Sequence, residues 1–239
     1  MLALAAGILF AGYKSRLMIP APIAEQLGLR GDISAIRAKQ RPRLVAQLAQ
    51  QEIEFAAPVF IRLFKEDAEL ELWVQKGPRF ELFKTYPICN FSGALGPKLQ
   101  EGDGQSPEGI YHVTREALNP NSRFHLSFNL GFPNAFDRAH DRTGSFLMVH
   151  GNCVSVGCYA MTDPLIEEIY VLVDAALSAG QAWVPVHAFP FRMNDARLTK
   201  ATGSPWFEFW QQLATVHNAF ETSHQIPDVI QSNGRYELK

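Results

Sequence analysis

Short runs of apolar residues, broken by turn chemistry, dominate the middle of the chain. Val59–Phe64, Leu70–Val74 and Phe80–Tyr86 alternate or are rich in β-branched and aromatic residues. Lys65-Glu66-Asp67 and Lys76-Gly77-Pro78 separate them, so the pattern predicts a β-meander. Further strands are expected at Gly109–Thr114, Phe124–Asn129, Phe146–Val149 and Val184–Phe189, and the glycine-rich polar stretch Gly93–Gly109 reads as a loop. Helical spacing is confined to other parts of the chain. Arg43–Phe55 places Leu44, Leu48 and Ile53 on one side. Asp163-Pro164 supplies an N-cap and a pre-set first turn for a helix running to about Ser178, with Gly180 near its C-terminal cap. Ser204-Pro205 repeats that signature for a second helix reaching about Glu221, where Trp206, Phe207, Phe209 and Trp210 read as packed core. The C-terminal residues beyond it read as a tail. Neither an internal repeat nor a low-complexity tract occurs. The sum is an α+β chain, a β-rich domain with appended helices.

Composition narrows the classes. The 239 residues are 47% hydrophobic and 19% charged, enough apolar material for a core and too little charge for disorder. A formal net charge of −2 argues against a nucleic-acid partner, which calls for a basic surface. At the N-terminus, Leu2–Tyr13 is apolar but too short to span a bilayer, which takes ~20 residues. It matches the h-region of an export signal, with membrane association through this segment as a variant; a buried helix is the alternative. Pro20 and Pro22 stop any helix continuing from it. Export predicts a periplasmic protein. The three cysteines, Cys89, Cys153 and Cys158, cannot all pair within one chain. A Cys89–Cys153 bridge is open to the chain in an oxidising compartment, and it would leave Cys158 free.

Candidate chemistry concentrates between His150 and Tyr159. Cysteine attacks carbonyls as the thiolate, and a nearby imidazole can take its proton. Phe146–Val149 delivers His150 at a strand end, and residues 151–157 bring the chain back to Cys158. Gly157 leaves the approach to the thiol open, Ser155 offers a hydroxyl beside it, and the amides around Cys158 could form an oxyanion hole. The rival reading is zinc held by His150, Cys153 and Cys158 with His140 or His187. The spacing fits neither Cys-x-x-Cys pairs nor a finger pattern, so no metal and no cofactor are expected. Arg192 could fork onto a substrate carboxylate or make a structural salt bridge. Tyr86, Ser92, His125 and Asn129 read either as cleft residues or as structural ones, and Asp103 and Glu108 as turn residues or contacts to a cationic substrate group. The segment His140–Gly144 is expected to wall the site.

These residues also carry a resemblance. Val149-His150-Gly151 followed by Ser155-Val156-Gly157-Cys158 resembles the signature of the YkuD-type L,D-transpeptidases, bacterial cysteine enzymes that act on meso-diaminopimelate in peptidoglycan. Ser106-Pro107-Glu108-Gly109-Ile110-Tyr111 is similar to the Thr-Pro-x-Gly-x-Phe strand start of that family. The YafK-like branch is resembled more closely, through the blocks Ser92–Lys98, Gly102–Gly109, His125–Asn129, Gly157–Asp163 and His187–Met193, over roughly residues 58–195.

The resemblance implies a β-sandwich-like catalytic domain at 58–195. A leader or membrane-anchor candidate at 1–19 and a helical segment at 20–57 would precede it, and a C-terminal helix and tail at 196–239 would follow. It implies Cys158 as nucleophile, His150 as base, the Gly151 carbonyl as the group that orients the imidazole, and a thioacyl-enzyme formed at a diaminopimelate carbonyl. Ser155, Gly157, His125, Tyr159 and Arg192 would line the substrate site. Two positions depart from the family: Val156 stands where a second histidine is usual, and Ala160 where an arginine is usual. Because the YafK-like branch includes amidases, the leading expectation is hydrolysis of a diaminopimelate–lysine link between peptidoglycan and a lipoprotein. Cross-link formation or lipoprotein attachment, and a non-catalytic peptidoglycan-binding scaffold, are the alternatives.

Overall fold

A computed structural model describes residues 33–239, and Gly31–Lys239 forms one unit. The apolar run Leu2–Tyr13, and with it the expected leader or anchor, lies outside the described residues. In chain order the elements begin with α1 (Ile33–Gln50), β1 (Val59–Phe64), β2 (Glu69–Lys76), β3 (Arg79–Pro87), β4 (Asn90–Phe91) and β5 (Gly109–Val113). Next come β6 (Leu118–Asn119), β7 (Ser127–Asn129), α2 (Ala135–Ala139), β8 (Met148–His150), β9 (Tyr159–Ala160) and α3 (Asp163–Ser178). The chain closes with β10 (Val184–Phe189), α4 (Asp195–Thr199), α5 (Phe207–Ser223), β11 (Val229–Ser232) and β12 (Arg235–Leu238).

Every residue of β1 and of β10 is buried, which requires cover on both faces of their sheet. That sheet has the order β3-β2-β1-β10-β5, with β1 and β10 parallel at its centre. Alternation sorts its side chains. Val59, Ile61, Leu63, Leu70, Leu72, Val186 and Ala188 join the main core, where α3 and residues of the second sheet meet them. Phe60, Trp73 and Phe80 point the other way and pack with Phe220 of α5. Phe64 and Phe189 do the same with Leu213 and Trp210. The C-terminal helix is thus the back cover of the first sheet, and α1 lies on α3, sending Leu44 and Leu48 into the main core.

The second sheet has the order β4-β9-β8-β7-β6 and very short strands. The architecture is α+β, as the hydrophobic pattern predicts. Three features differ from the sequence reading, and a fourth settles a pairing it left open. The first helix starts at Ile33 and carries Pro42 inside it, because polar ties to α3 as well as apolar spacing hold it. Phe124–Leu126 is irregular and only Ser127–Asn129 pairs as strand. The C-terminal tail is a β11–β12 hairpin, whose Tyr236 is buried against Phe136. Finally, Cys89 and Cys153 are joined in a disulfide, the pairing the cysteine count left open.

Candidate active site

The site is built on an unusual connection. β8 and β9 are direct parallel neighbours, with Val149 opposite Tyr159 and His150 opposite Ala160. Parallel neighbours ordinarily need a crossover of a dozen or more residues; here residues 151–158 make the return alone. The return is sharp, and Asn152, Cys153 and Gly157 all lie at positive φ. Gly157, at φ +99, takes a conformation that strains any residue with a side chain. Three ties hold the return. The disulfide fastens Cys153 to Cys89, just ahead of β4; Asp163 Oδ1 at the start of α3 accepts from Asn152 N at 2.8 Å; and Cys153 N donates to Met161 O at 3.2 Å.

The register decides which side chains face each other. Val149 and Tyr159 face the core. His150 and Ala160 share the other face, and alternation puts Cys158, just ahead of β9, on that face as well.

His150 is 1% exposed. Its Nδ1 lies 2.6 Å from Gly151 O, and a carbonyl can only accept, so Nδ1 carries the proton and Nε2 keeps a lone pair. The imidazole is stacked on Phe124, with ring centroids 4.6 Å apart. Burial lowers the His150 pKa, with the Gly151 bond pulling the other way, so the ring is neutral at neutral pH. Gly151 is needed where it stands. A Cβ there would meet Asp163 Oδ1 at 2.6 Å and Phe124 O at 2.9 Å.

Cys158 is the one free cysteine and is 8% exposed. Its thiol donates to Phe146 O at 3.5 Å rather than to the imidazole. Burial pushes the thiol pKa up, against smaller opposing pulls from the Met148 backbone and from Lys98. The resting groups are therefore a thiol and a neutral imidazole, with no standing thiolate. Lys98 is itself buried, bonded to Asp103 Oδ1 at 2.5 Å and Gln100 O at 3.0 Å.

Three serines fix the Cys158 peptide. Ser106 Oγ and Ser155 Oγ both donate to Cys158 O, at 2.9 and 2.7 Å. With its proton so used, Ser155 accepts from Ser92 Oγ at 2.7 Å, while Ser92 N donates to Ser106 Oγ at 3.0 Å. Each hydroxyl has a definite direction, and the set converges on the Cys158 carbonyl from three separate segments. Satisfied buried networks of this kind specify one geometry.

The structure therefore places Ser155, Gly157 and Cys158 on one return, and His150 with Gly151 at the end of the neighbouring strand. Two expected substrate contacts are corrected. Tyr159 is fully buried and its hydroxyl donates to Pro107 O at 2.7 Å, because strand alternation turns it away from Cys158. Arg192 follows β10 of the first sheet, pairs with Glu69 and with Glu71 (2.5 Å), and lies over Phe64, so its fork is spent on a structural salt bridge. His125 Nε2 is 3.1 Å from Glu167 Oε1. Tyr86 is buried, and Glu108 is buried against Lys65 (3.1 Å) and Trp210. Cys153 is spent in the disulfide, and among the described residues no cluster of three His, Cys, Asp or Glu could hold a metal. Phe124, Ser106 and Asp163 at the site were not assigned to it from sequence, since stacking and carbonyl bonding across such separations leave no local pattern.

No family model matches the chain. It is 48% identical over 180 residues to the Escherichia coli K12 protein named "Putative L,D-transpeptidase YafK", covering 75% of this chain and 73% of that relative. The protein of the same name from Escherichia coli O157:H7 matches with the same figures. The chain belongs to the L,D-transpeptidase family. Among solved structures, the helical cell shape determining protein Pgp2 of Campylobacter jejuni (K307A mutant) aligns with TM-score 0.47 and 17% identity, covering 72% of this chain and 70% of that one. Bd1075 of Bdellovibrio bacteriovorus aligns with TM-score 0.43 and 17% identity, over 74% and 78% of the two chains. Within this L,D-transpeptidase-family chain, 48% identity over most of its length encloses the His150–Cys158 return described above.

Proposed function

We propose that this protein is a cysteine-dependent peptidoglycan-modifying enzyme that acts at meso-diaminopimelate through a thioacyl-enzyme on Cys158. The observation that carries this reading is the resting pair: a free thiol and a neutral imidazole whose proton is fixed on Nδ1 by Gly151. Attack on this reading requires the Cys158 thiol to turn from Phe146 O toward Nε2. His150 then removes the thiol proton as sulfur attacks the amide carbonyl, and gives it to the departing amine nitrogen. The product is a thioester and a free amine. Water attacks the thioester, His150 takes one of its protons and passes it to the departing sulfur, and the thiol is regenerated while the released carboxylic acid ionises to solvent.

Hydrolysis of the diaminopimelate–lysine amide that ties a lipoprotein to peptidoglycan is the reading we favour, and we propose the periplasm as its location. The Cys89–Cys153 disulfide supports an oxidising compartment, and the apolar N-terminal run supports export. Transfer of the acyl group from Cys158 sulfur to an amine, with the thiol released, is the second reading, favoured by the name its relatives carry. Incubation with lipoprotein-loaded sacculi, followed by mass spectrometry of the muropeptides, separates these. Free lipoprotein with a diaminopimelate carboxylate supports hydrolysis, and a new amide cross-link supports transfer. Equal release by wild type and Cys158→Ala contradicts both.

A further inference from the structure

We propose that His125 and Glu167 are positioning residues for His150, acting through the segment Phe124–Leu126. The inference rests on His150 being the base assigned under the proposed function.

That segment grips the turn after β8 in two ways. Gly151 N–H is shared between Phe124 O at 3.0 Å and Leu126 O at 3.2 Å, and the Phe124 ring stacks on the His150 imidazole at 29°. Between these two contacts stands His125 at φ +70. A residue with a side chain is strained there and stays only when its surroundings over-determine it. The anchor is its own side chain, through Nε2 to Glu167 Oε1 at 3.1 Å. Glu167 is held in turn from α1, where Lys39 Nζ (2.8 Å) and Gln40 Nε2 (2.7 Å) both reach Oε2. Burial works against its ionised form, but those donors outweigh it and keep the carboxyl below the ordinary glutamate value. An ionised carboxylate only accepts, so the His125 Nε2 carries the proton. The His125 Cβ lies 3.1 Å from the point a Gly151 Cβ would occupy, so its stem packs directly on the turn.

One continuous line of contacts therefore runs from α1 through Glu167 and His125 to Gly151, whose carbonyl fixes the His150 tautomer. Release of the anchor lets residue 125 leave the left-handed region. The stacked Phe124 and the two carbonyls on Gly151 N then lose their place together. His125 was a candidate substrate contact from sequence; the bond to Glu167 uses its Nε2 for something else.

The test uses the full chain with His125→Ala, His125→Gln and Glu167→Gln. Two readouts need no substrate: long-range proton–nitrogen spectra of the His150 imidazole, and the pH profile of Cys158 alkylation by iodoacetamide. We expect His125→Ala to mix the two His150 tautomers and to lower kcat on lipoprotein-linked muropeptide about tenfold with KM held within about twofold. His125→Gln, which keeps a donor toward Glu167, should recover most of that loss. If His125→Ala does not fold, Glu167→Gln carries the test, with a smaller shift in the same direction. An unchanged His150 spectrum and alkylation profile in a folded variant overturns the proposal, as does a raised KM at constant kcat. Failure of the proposed substrate would silence the turnover assay alone and leave the spectra and alkylation to decide.

Discussion

The two sheets of this protein are held by different means. In the first, β1 and β10 are buried on both faces, and the aromatic cluster Phe60, Trp73, Phe80 and Phe220 seals its back. Non-directional apolar burial does most of that work, and regular strands are its result. In the second, the strands are only two or three residues long, and the β8–β9 return depends on positive φ, a disulfide, the Asp163 tie and three serine hydroxyls. Directional bonds there keep the backbone in a shape that burial alone would not select. The first sheet makes the molecule stable, and the second uses that stability to keep His150 and Cys158 on one face.

The comparison can be broken from either side. The largest effect is expected at the return. His150→Gln should cut turnover about 10²–10⁴-fold in a variant that calorimetry shows to be still folded, with muropeptide release as the readout. On the first sheet, Phe60→Ala should cost about 3–5 kcal/mol in denaturant unfolding, with Cys158 alkylation unaltered in the folded fraction. Joint replacement of Cys89 and Cys153 by serine should lose about 2–4 kcal/mol. Hydrogen exchange should show the loosening first in residues 151–158, because the disulfide ends there.

The smallest effect, read over a single pH unit, is a pH term in the first sheet. His187 on β10 is buried beside Phe60 with Nδ1 unpartnered, and burial chiefly, with repulsion from Arg62, takes its pKa down to about 3. The unfolded chain binds a proton below about pH 6.5 while the folded one does not, so this residue takes nothing from stability at higher pH. As pH falls from there toward the folded pKa, it should remove about 1.4 kcal/mol per pH unit. His187→Leu should flatten that slope in urea titrations run at several pH values.

The same contrast explains what the sequence reveals. Val59–Phe64, Val184–Phe189 and Asp163–Ser178 can be read from local pattern because burial and capping leave periodic marks. Cys158, His150 and Gly151 can be singled out because their chemistry lies in one short stretch. Ser106 and Phe124 reach the site through contacts that skip many residues; a motif marks the stretch at Ser106 but not its bond to Cys158 O, and nothing marks Phe124. Tyr159 and Arg192 show the converse. Proximity in sequence to the nucleophile, or a charge suited to a carboxylate, does not say which way a strand turns its side chains or which glutamates lie nearer.

The central claim is that Cys158 carries the acyl group during turnover. Acid-quenched enzyme, digested after brief incubation with lipoprotein-linked muropeptide, can be searched by mass spectrometry for the adduct. The account predicts a thioester on the Cys158 peptide of the wild type and none in Cys158→Ser. Product formation with that peptide never modified, or modified equally well in His150→Gln, would contradict it.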